Sequence, residues 1–133
     1  MAQLTPEQRA LVDAPNLAHV VTLMKDGSPQ STPVWVDYRD GHVLINTAEG
    51  RQKARNLARD NRIALSVVDR HRPGNYVEVR GTVVEITREG AGEHSAFLAR
   101  KYFGPDAKPR LTPGEQRIIV KIEPSYVGGM FMG

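Results

Sequence analysis

The stretch Thr47-Ala48-Glu49-Gly50-Arg51-Gln52-Lys53-Ala54-Arg55-Asn56-Leu57 sets a hydroxyl at the end of an apolar run and a glycine turn ahead of a basic segment. That combination suits an anion. Free N–H groups at a helix N-terminus favour negative charge, Thr47 adds a hydroxyl donor, and Arg51 and Lys53 bring positive charge close by. Phosphate is the fitting ligand. Lys53 and Asn56 are three apart and share one helix face. Taken alone, the same stretch also reads as the solvated basic face of a surface helix.

A second signal is Gly27-Ser28-Pro29-Gln30-Ser31-Thr32-Pro33-Val34-Trp35-Val36-Asp37, which has small polar residues where a strand would carry bulk. Its two prolines confine it to a sheet edge or an irregular run, leaving backbone groups free for a ligand. Trp35 by itself reads as a core anchor. Other chemistry finds little support. His19, His42, His71 and His94 are scattered, with no two at ligand spacing, so no metal site is expected. Ser28, Ser31, Ser66, Ser95 and Ser125 sit in no nucleophile elbow. Glu78 and Arg80 read as a cross-strand charge pair. No side chain is assigned a catalytic role.

The elements that must position these residues follow from periodicity. Thr5-Pro6-Glu7-Gln8 reads as a capping box opening a helix that ends near Asp13-Ala14-Pro15. Ala18–Met24 and the alternating run Gln30–Tyr38 form a hairpin around Lys25-Asp26-Gly27-Ser28, and Arg39-Asp40-Gly41 turns the chain into a third strand, His42–Thr47. Glu49–Arg59 reads as a short helix with Ala54, Leu57 and Ala58 inward. Ile63–Val68 and Tyr76–Ile86 are the next strands, the latter with Val77, Val79 and Val83 toward a core. Glu93–Phe103 forms a helix with Leu98, Ala99, Tyr102 and Phe103 on one stripe, and Gln116–Ile122 is a sixth strand. A mainly β domain of this order, with short helices interrupting an antiparallel meander, closes best as a six-stranded barrel that leaves no exposed edges.

At 133 residues the chain has the size of a single domain spanning 1–133. A hydrophobic share of 40% against 25% charged residues is that of an ordinary globular protein, and no apolar run nears the roughly 18–20 residues that cross a bilayer. No membrane role is expected. The N-terminus shows no secretory signal pattern, so a cytoplasmic location is expected. The absence of cysteine excludes disulfides, thiolate metal sites and a cysteine nucleophile. A formal charge of +3 suits an anionic ligand, yet it is too small to argue for nucleic acid without a recognition motif.

Gly27-x-Pro29-x-x-x-Pro33-Val34-Trp35, then Asn46-Thr47, then Arg51-x-Lys53-x-Arg55-Asn56-Leu57, then Tyr76-Val77-Glu78-Val79-Arg80-Gly81 form a specific order. Together they resemble the flavin/deazaflavin oxidoreductase superfamily, the split β-barrel relatives of pyridoxamine 5′-phosphate oxidase, and most of all its coenzyme F420-dependent B group. Ala99-Arg100-Lys101-Tyr102-Phe103-Gly104 and Arg117–Pro124 extend the likeness over nearly the whole chain. The resemblance implies an FMN-binding split barrel fold and a homodimer with two cofactor grooves at the subunit interface. It implies that Gln30, Ser31, Thr32, Pro33, Val34 and Trp35 run along the cofactor ring, and that Asn46, Thr47, Arg51, Lys53 and Asn56 hold the phosphate-bearing tail. Arg55 joins this set at a helical position that equally faces a partner subunit.

The implied activity is hydride transfer from reduced coenzyme F420 to an unsaturated or conjugated small organic substrate. FMN is the alternative cofactor, and a non-catalytic F420, FMN or haem carrier is the alternative role. Gln52 stands where pyridoxamine phosphate oxidases carry an arginine, and the chain lacks their closing Trp and Arg segment, so vitamin B6 chemistry is not expected.

Overall fold

The computed structural model describes residues 1–109 and 112–132. Helix α1 (Pro6–Asp13) begins at the expected capping box. Thr5 Oγ1 accepts the Gln8 N–H at 3.2 Å, and Gln8 Oε1 accepts the Thr5 N–H at 2.9 Å. Strands β1 (Ala18–Leu23) and β2 (Pro29–Val34) are joined by a turn in which Asp26 Oδ1 accepts the Ser28 N–H, with Gly27 at φ +88°. Strands β3 (Val36–Arg39) and β4 (His42–Ala48) meet through Asp40 and Gly41, both at positive φ, the conformation that a two-residue type I′ hairpin needs. Helix α2 (Gln52–Arg59), β5 (Arg62–Val68), β6 (Tyr76–Thr87), helix α3 (Ala91–Phe103) and β7 (Arg117–Met130) complete the order.

All strand pairs are antiparallel, in the spatial order β2-β1-β5-β6-β7-β4-β3. The two end strands, β2 and β3, are consecutive in the chain, with only Trp35 between them. The chain thus leaves one end of the sheet and enters the other in a single step. This curls the sheet into a split barrel. The described residues form seven strands rather than the expected six, because the run Gln30–Tyr38 divides at Trp35, its first half pairing with β1 and its second with β4. The last strand also outruns its expected limit at Ile122 and continues to Met130.

Val20, Val36, Ile45, Val67, Val77, Val79, Val120 and Ile122, supplied by six different strands, fill the interior and are all but inaccessible. Each such side chain contributes about 1.5–3 kcal/mol by leaving water. α1 packs on β3, α2 on β1, and α3 on β7 and β4. β6 and β7 are bulged beside Gly81, where a Cβ would lie 2.2 Å from the Glu123 carbonyl oxygen, so only glycine permits this approach. Phe103, expected on the inner stripe of its helix, is 73% exposed, and Glu78 and Arg80 pair along one strand at 3.0 Å rather than across two. Among the described residues no helix is long and apolar enough to cross a membrane.

Candidate functional site

The break at Trp35 borders a cleft of about 320 Å³. Pro33, Val34 and Trp35 form one wall, and Asn46 and Thr47, at the end of β4, form another. Arg51 and Lys53 enter from the start of α2 and Arg117 from the start of β7, with Leu17, Ser95 and Pro109 at the margins. Seven of the twelve expected site residues, Pro33, Val34, Trp35, Asn46, Thr47, Arg51 and Lys53, therefore share one cleft.

The other five do not line it. Gln30, Ser31 and Thr32 continue along β2, opposite Thr22, Val21 and Val20 of β1. As an end strand, β2 pairs only with β1 among the described residues, so one edge of its backbone has no ladder partner there. Asn56 is fully buried beneath α2, donating to Thr22 Oγ1 at 3.0 Å and accepting from Gln52 Nε2 at 2.8 Å, so it anchors the helix on β1. Arg55 turns back on its own helix, donating to the Gly50 carbonyl and to Gln52 Oε1. Arg59 donates to the Leu23 carbonyl at 2.7 Å.

The cleft is electrostatically incomplete. The side-chain oxygens of Thr32 and Thr47 are the two buried polar side-chain atoms without a hydrogen-bond partner among the described residues. Leaving a buried hydroxyl unpaired costs about 1–3 kcal/mol. Lys53, only 7% exposed, forms neither an ion pair nor a hydrogen bond through its ammonium among the described residues. Burial holds its pKa below the ordinary lysine value, and the neighbouring Arg51 and Arg117 push it the same way. Arg51 is the N-cap of α2 and makes no side-chain capping bond to the first turn. An unpaired hydroxyl, an unpaired ammonium and two guanidinium groups together give the cleft the donors and positive charge that suit an anion.

A buried polar chain supports the site. Arg117 Nε donates to Asn46 Oδ1 at 2.8 Å, and Asn46 Nδ2 donates to the Ala91 carbonyl at 2.8 Å and to His94 Nδ1 at 3.1 Å. With Nδ1 accepting, the His94 proton sits on Nε2 and is donated to Asp37 Oδ2 at 3.0 Å. Burial alone would raise the Asp37 pKa. The His94 hydrogen bond, the Arg39 charge at 2.8 Å and the Tyr38 N–H outweigh it, so its carboxyl lies below the ordinary value.

α3 fixes the break itself. The Tyr102 hydroxyl accepts the Val36 N–H at 3.1 Å and donates to the Asn16 carbonyl at 2.6 Å, while its ring stacks on Trp35 at 5.3 Å and 13°. Burial raises the Tyr102 pKa to about 12, so the hydroxyl keeps its proton. Lys101 donates to the Val12 and Val36 carbonyls at 2.7 and 2.5 Å. Trp35 is half-buried beside the cleft and absent from the core, contrary to its reading as a core anchor. Trp35 lies between the two halves of the strand, where the chain changes sheet partners, and it stacks on Tyr102 instead.

Sequence reasoning missed Arg117, whose one clue is its position opposite Ala48, next to Thr47, in the β4–β7 ladder. It also missed Asp37 and His94, which are 57 residues apart and carry no local signal.

The sequence profile described as pyridoxamine 5′-phosphate oxidase matches residues 4–131, nearly the whole chain. The chain belongs to the pyridoxamine 5′-phosphate oxidase family. A solved structure named F420 reductase is 28% identical, with a TM-score of 0.82, over 94% of this chain and 98% of that one. The conserved hypothetical protein Rv2991 from Mycobacterium tuberculosis is 23% identical with a TM-score of 0.75, covering 97% and 85%. HupZ from Group A Streptococcus is 24% identical with a TM-score of 0.71, covering 98% and 97%. These last two share the fold. No curated protein sequence matches significantly. Within the pyridoxamine 5′-phosphate oxidase family, this member keeps Gln52 on the cleft-side turn of α2, half-buried and bonded to Asn56.

Proposed function

We propose that this family member is a coenzyme F420-dependent oxidoreductase, working as a homodimer, that passes hydride from the reduced cofactor to an unsaturated small organic substrate. The observation that carries the reading is the pairing of the unsatisfied Thr47 hydroxyl with the unpaired Lys53 ammonium beside Arg51 and Arg117. A cofactor phosphate would satisfy both groups. The likeness to a protein named F420 reductase supports the deazaflavin, whose ring supplies hydride when bound. Thr47, Lys53, Arg51 and Arg117 would hold the tail. Trp35 and the unpaired edge of β2 would orient the ring, and Leu17 and Pro109 would help keep water out.

FMN is the second reading, favoured by one observation. The longer anionic tail of F420 calls for further positive charge, yet Arg55 and Arg59 of α2 are bonded away from the cleft. Trp35 is the only tryptophan, so its emission reports binding directly. Titration with F420 and with FMN, followed by turnover with the reduced cofactor, tests the assignment. Tighter binding of F420 with substrate reduction is expected; tighter FMN binding replaces it, and binding without turnover makes the protein a carrier.

A further inference from the structure

Glu115 stands out beside the phosphate cleft because it belongs to none of the groups that line it. One of its oxygens accepts from Arg117 Nη1 at 2.8 Å and the other from Arg51 Nη2 at 3.0 Å. Its side chain is 13% exposed, and it is the carboxylate bonded to both arginines of the cleft. Arg117 is held again at Nε by Asn46. Both guanidinium groups thus have their charge partly met before any ligand arrives. Lys53 is left as the cleft's cation without a counter-charge among the described residues. The hydrogen bonds from Arg117 and then Arg51 hold the Glu115 pKa below the ordinary carboxylate value, so it stays ionised around neutrality.

The consequence is a question of charge. Arg51, Lys53 and Arg117 less one carboxylate leave the cluster two positive charges instead of three. The lost unit costs a phosphodiester, with its single negative charge, one share of that attraction. A terminal phosphomonoester carries about −1.5 to −2 at neutral pH. Its second charge would face a carboxylate one guanidinium away, where like charges repel.

We propose that Glu115 is a specificity-determining residue that tunes the cleft toward a phosphodiester tail and against a terminal phosphomonoester. It acts through Arg51 and Arg117 rather than by touching the ligand. The inference rests on the reading that a cofactor phosphate occupies this cleft, and it gives Glu115 the part of the discrimination that depends on the charge of that phosphate.

The test compares wild type and Glu115→Gln with three probes that share one ring: riboflavin, which has no phosphate, the methyl ester of FMN, a phosphodiester with no further charge, and FMN, a monoester. Removing one negative charge should act in proportion to the phosphate charge. Riboflavin affinity should be unchanged, affinity for the methyl ester should rise about threefold, and FMN affinity about tenfold, the square of the smaller factor. The ratio of diester to monoester affinity should then fall about threefold. Glu115→Asp, which keeps the charge, should keep the wild-type ranking, and Glu115→Ala carries the same comparison in case the amide variant does not fold.

A shift shared by riboflavin and FMN would show a structural effect only and overturn the proposal. So would an FMN affinity that fails to rise in natively folded protein. The graded response of FMN against riboflavin does not depend on which cofactor wild type prefers, so it stands or falls separately from the F420 assignment.

Discussion

Lys53 and Thr47 carry opposite obligations in the free and the loaded protein. A buried ammonium without an anion and a buried hydroxyl without a partner both cost free energy until a ligand meets them. Lys53→Met and Thr47→Val should therefore leave the ligand-free protein as stable or more stable in thermal unfolding. Both should weaken cofactor binding, Lys53→Met by the 1.5–3 kcal/mol typical of a charge-assisted hydrogen bond, or about ten- to a hundredfold. A drop in melting temperature for Lys53→Met with unchanged affinity would remove it from the site.

Asp37 makes a different prediction. Its carboxyl pKa is depressed on folding, so the stability it contributes is complete above the ordinary value of 3.8 and is lost as the pH falls through the folded value. Urea midpoints should therefore decline as the pH falls below about 4, and Asp37→Asn should flatten that decline. These residues also differ in legibility. Thr47, Arg51 and Lys53 lie within one turn of chain, where strand-end and helix-start chemistry is local, whereas the Asp37–His94 pair is created by packing α3 on the barrel.

At the scale of elements, the segment 29–39 is the device that shapes the site, because it serves one end of the sheet and then the other. A change of partners within one strand needs a support outside the sheet. α3 provides it through the Tyr102 hydroxyl on the Val36 N–H and the Lys101 ammonium on the Val36 carbonyl. Tyr102→Phe keeps the ring that stacks on Trp35 and removes two hydrogen bonds from partly buried groups. It should lower stability by about 1–3 kcal/mol and shift the Trp35 emission before any cofactor is added. Unaltered emission and stability would mean that the break holds itself.

Helices and strands were legible here because capping boxes, positive-φ turns and alternation are written in neighbouring residues, as Thr5–Gln8 and Asp40–Gly41 show. The division at Trp35 was not. Apolar alternation runs through Val34 and Val36 without a mark, and only the competition between β1 and β4 for the strand decides where it splits.

At the scale of the whole molecule, the order of elements could be read from the chain, but the neighbours of each strand could not. The pairing of β1 with β5, and of β4 with β7, joins segments far apart in sequence and is settled by how the inner valines and isoleucines fill one barrel. The same scale leaves apolar surface outside: Val84, Ile86, Phe103, Tyr126 and Met130 are each more than a third exposed. A second copy of the chain, as the proposed homodimer supplies, would cover such surface. Sedimentation equilibrium should then find a dimer at working concentration, and a monomer would count against it.

Cofactor choice is the last consequence, and it depends on charge arranged over the molecule rather than on any single contact. F420 and FMN both offer a tricyclic ring and a first phosphate, so Thr47 and Lys53 should bind them about equally. The difference must come from the additional carboxylates of the F420 tail and from how the cleft meets phosphate charge. With Arg55 and Arg59 bonded elsewhere, half-exposed Arg51 is the arginine of α2 left at the cleft to attract that tail. Attraction at that range is screened over a Debye length of about 8–10 Å near physiological salt. F420 should bind more tightly than FMN at low ionic strength, and its advantage should shrink as salt rises, with the fall measured by Trp35 quenching at a series of salt concentrations. An advantage that ignores salt would place the discrimination in the ring rather than in the tail, and an FMN preference at low salt would make FMN the cofactor.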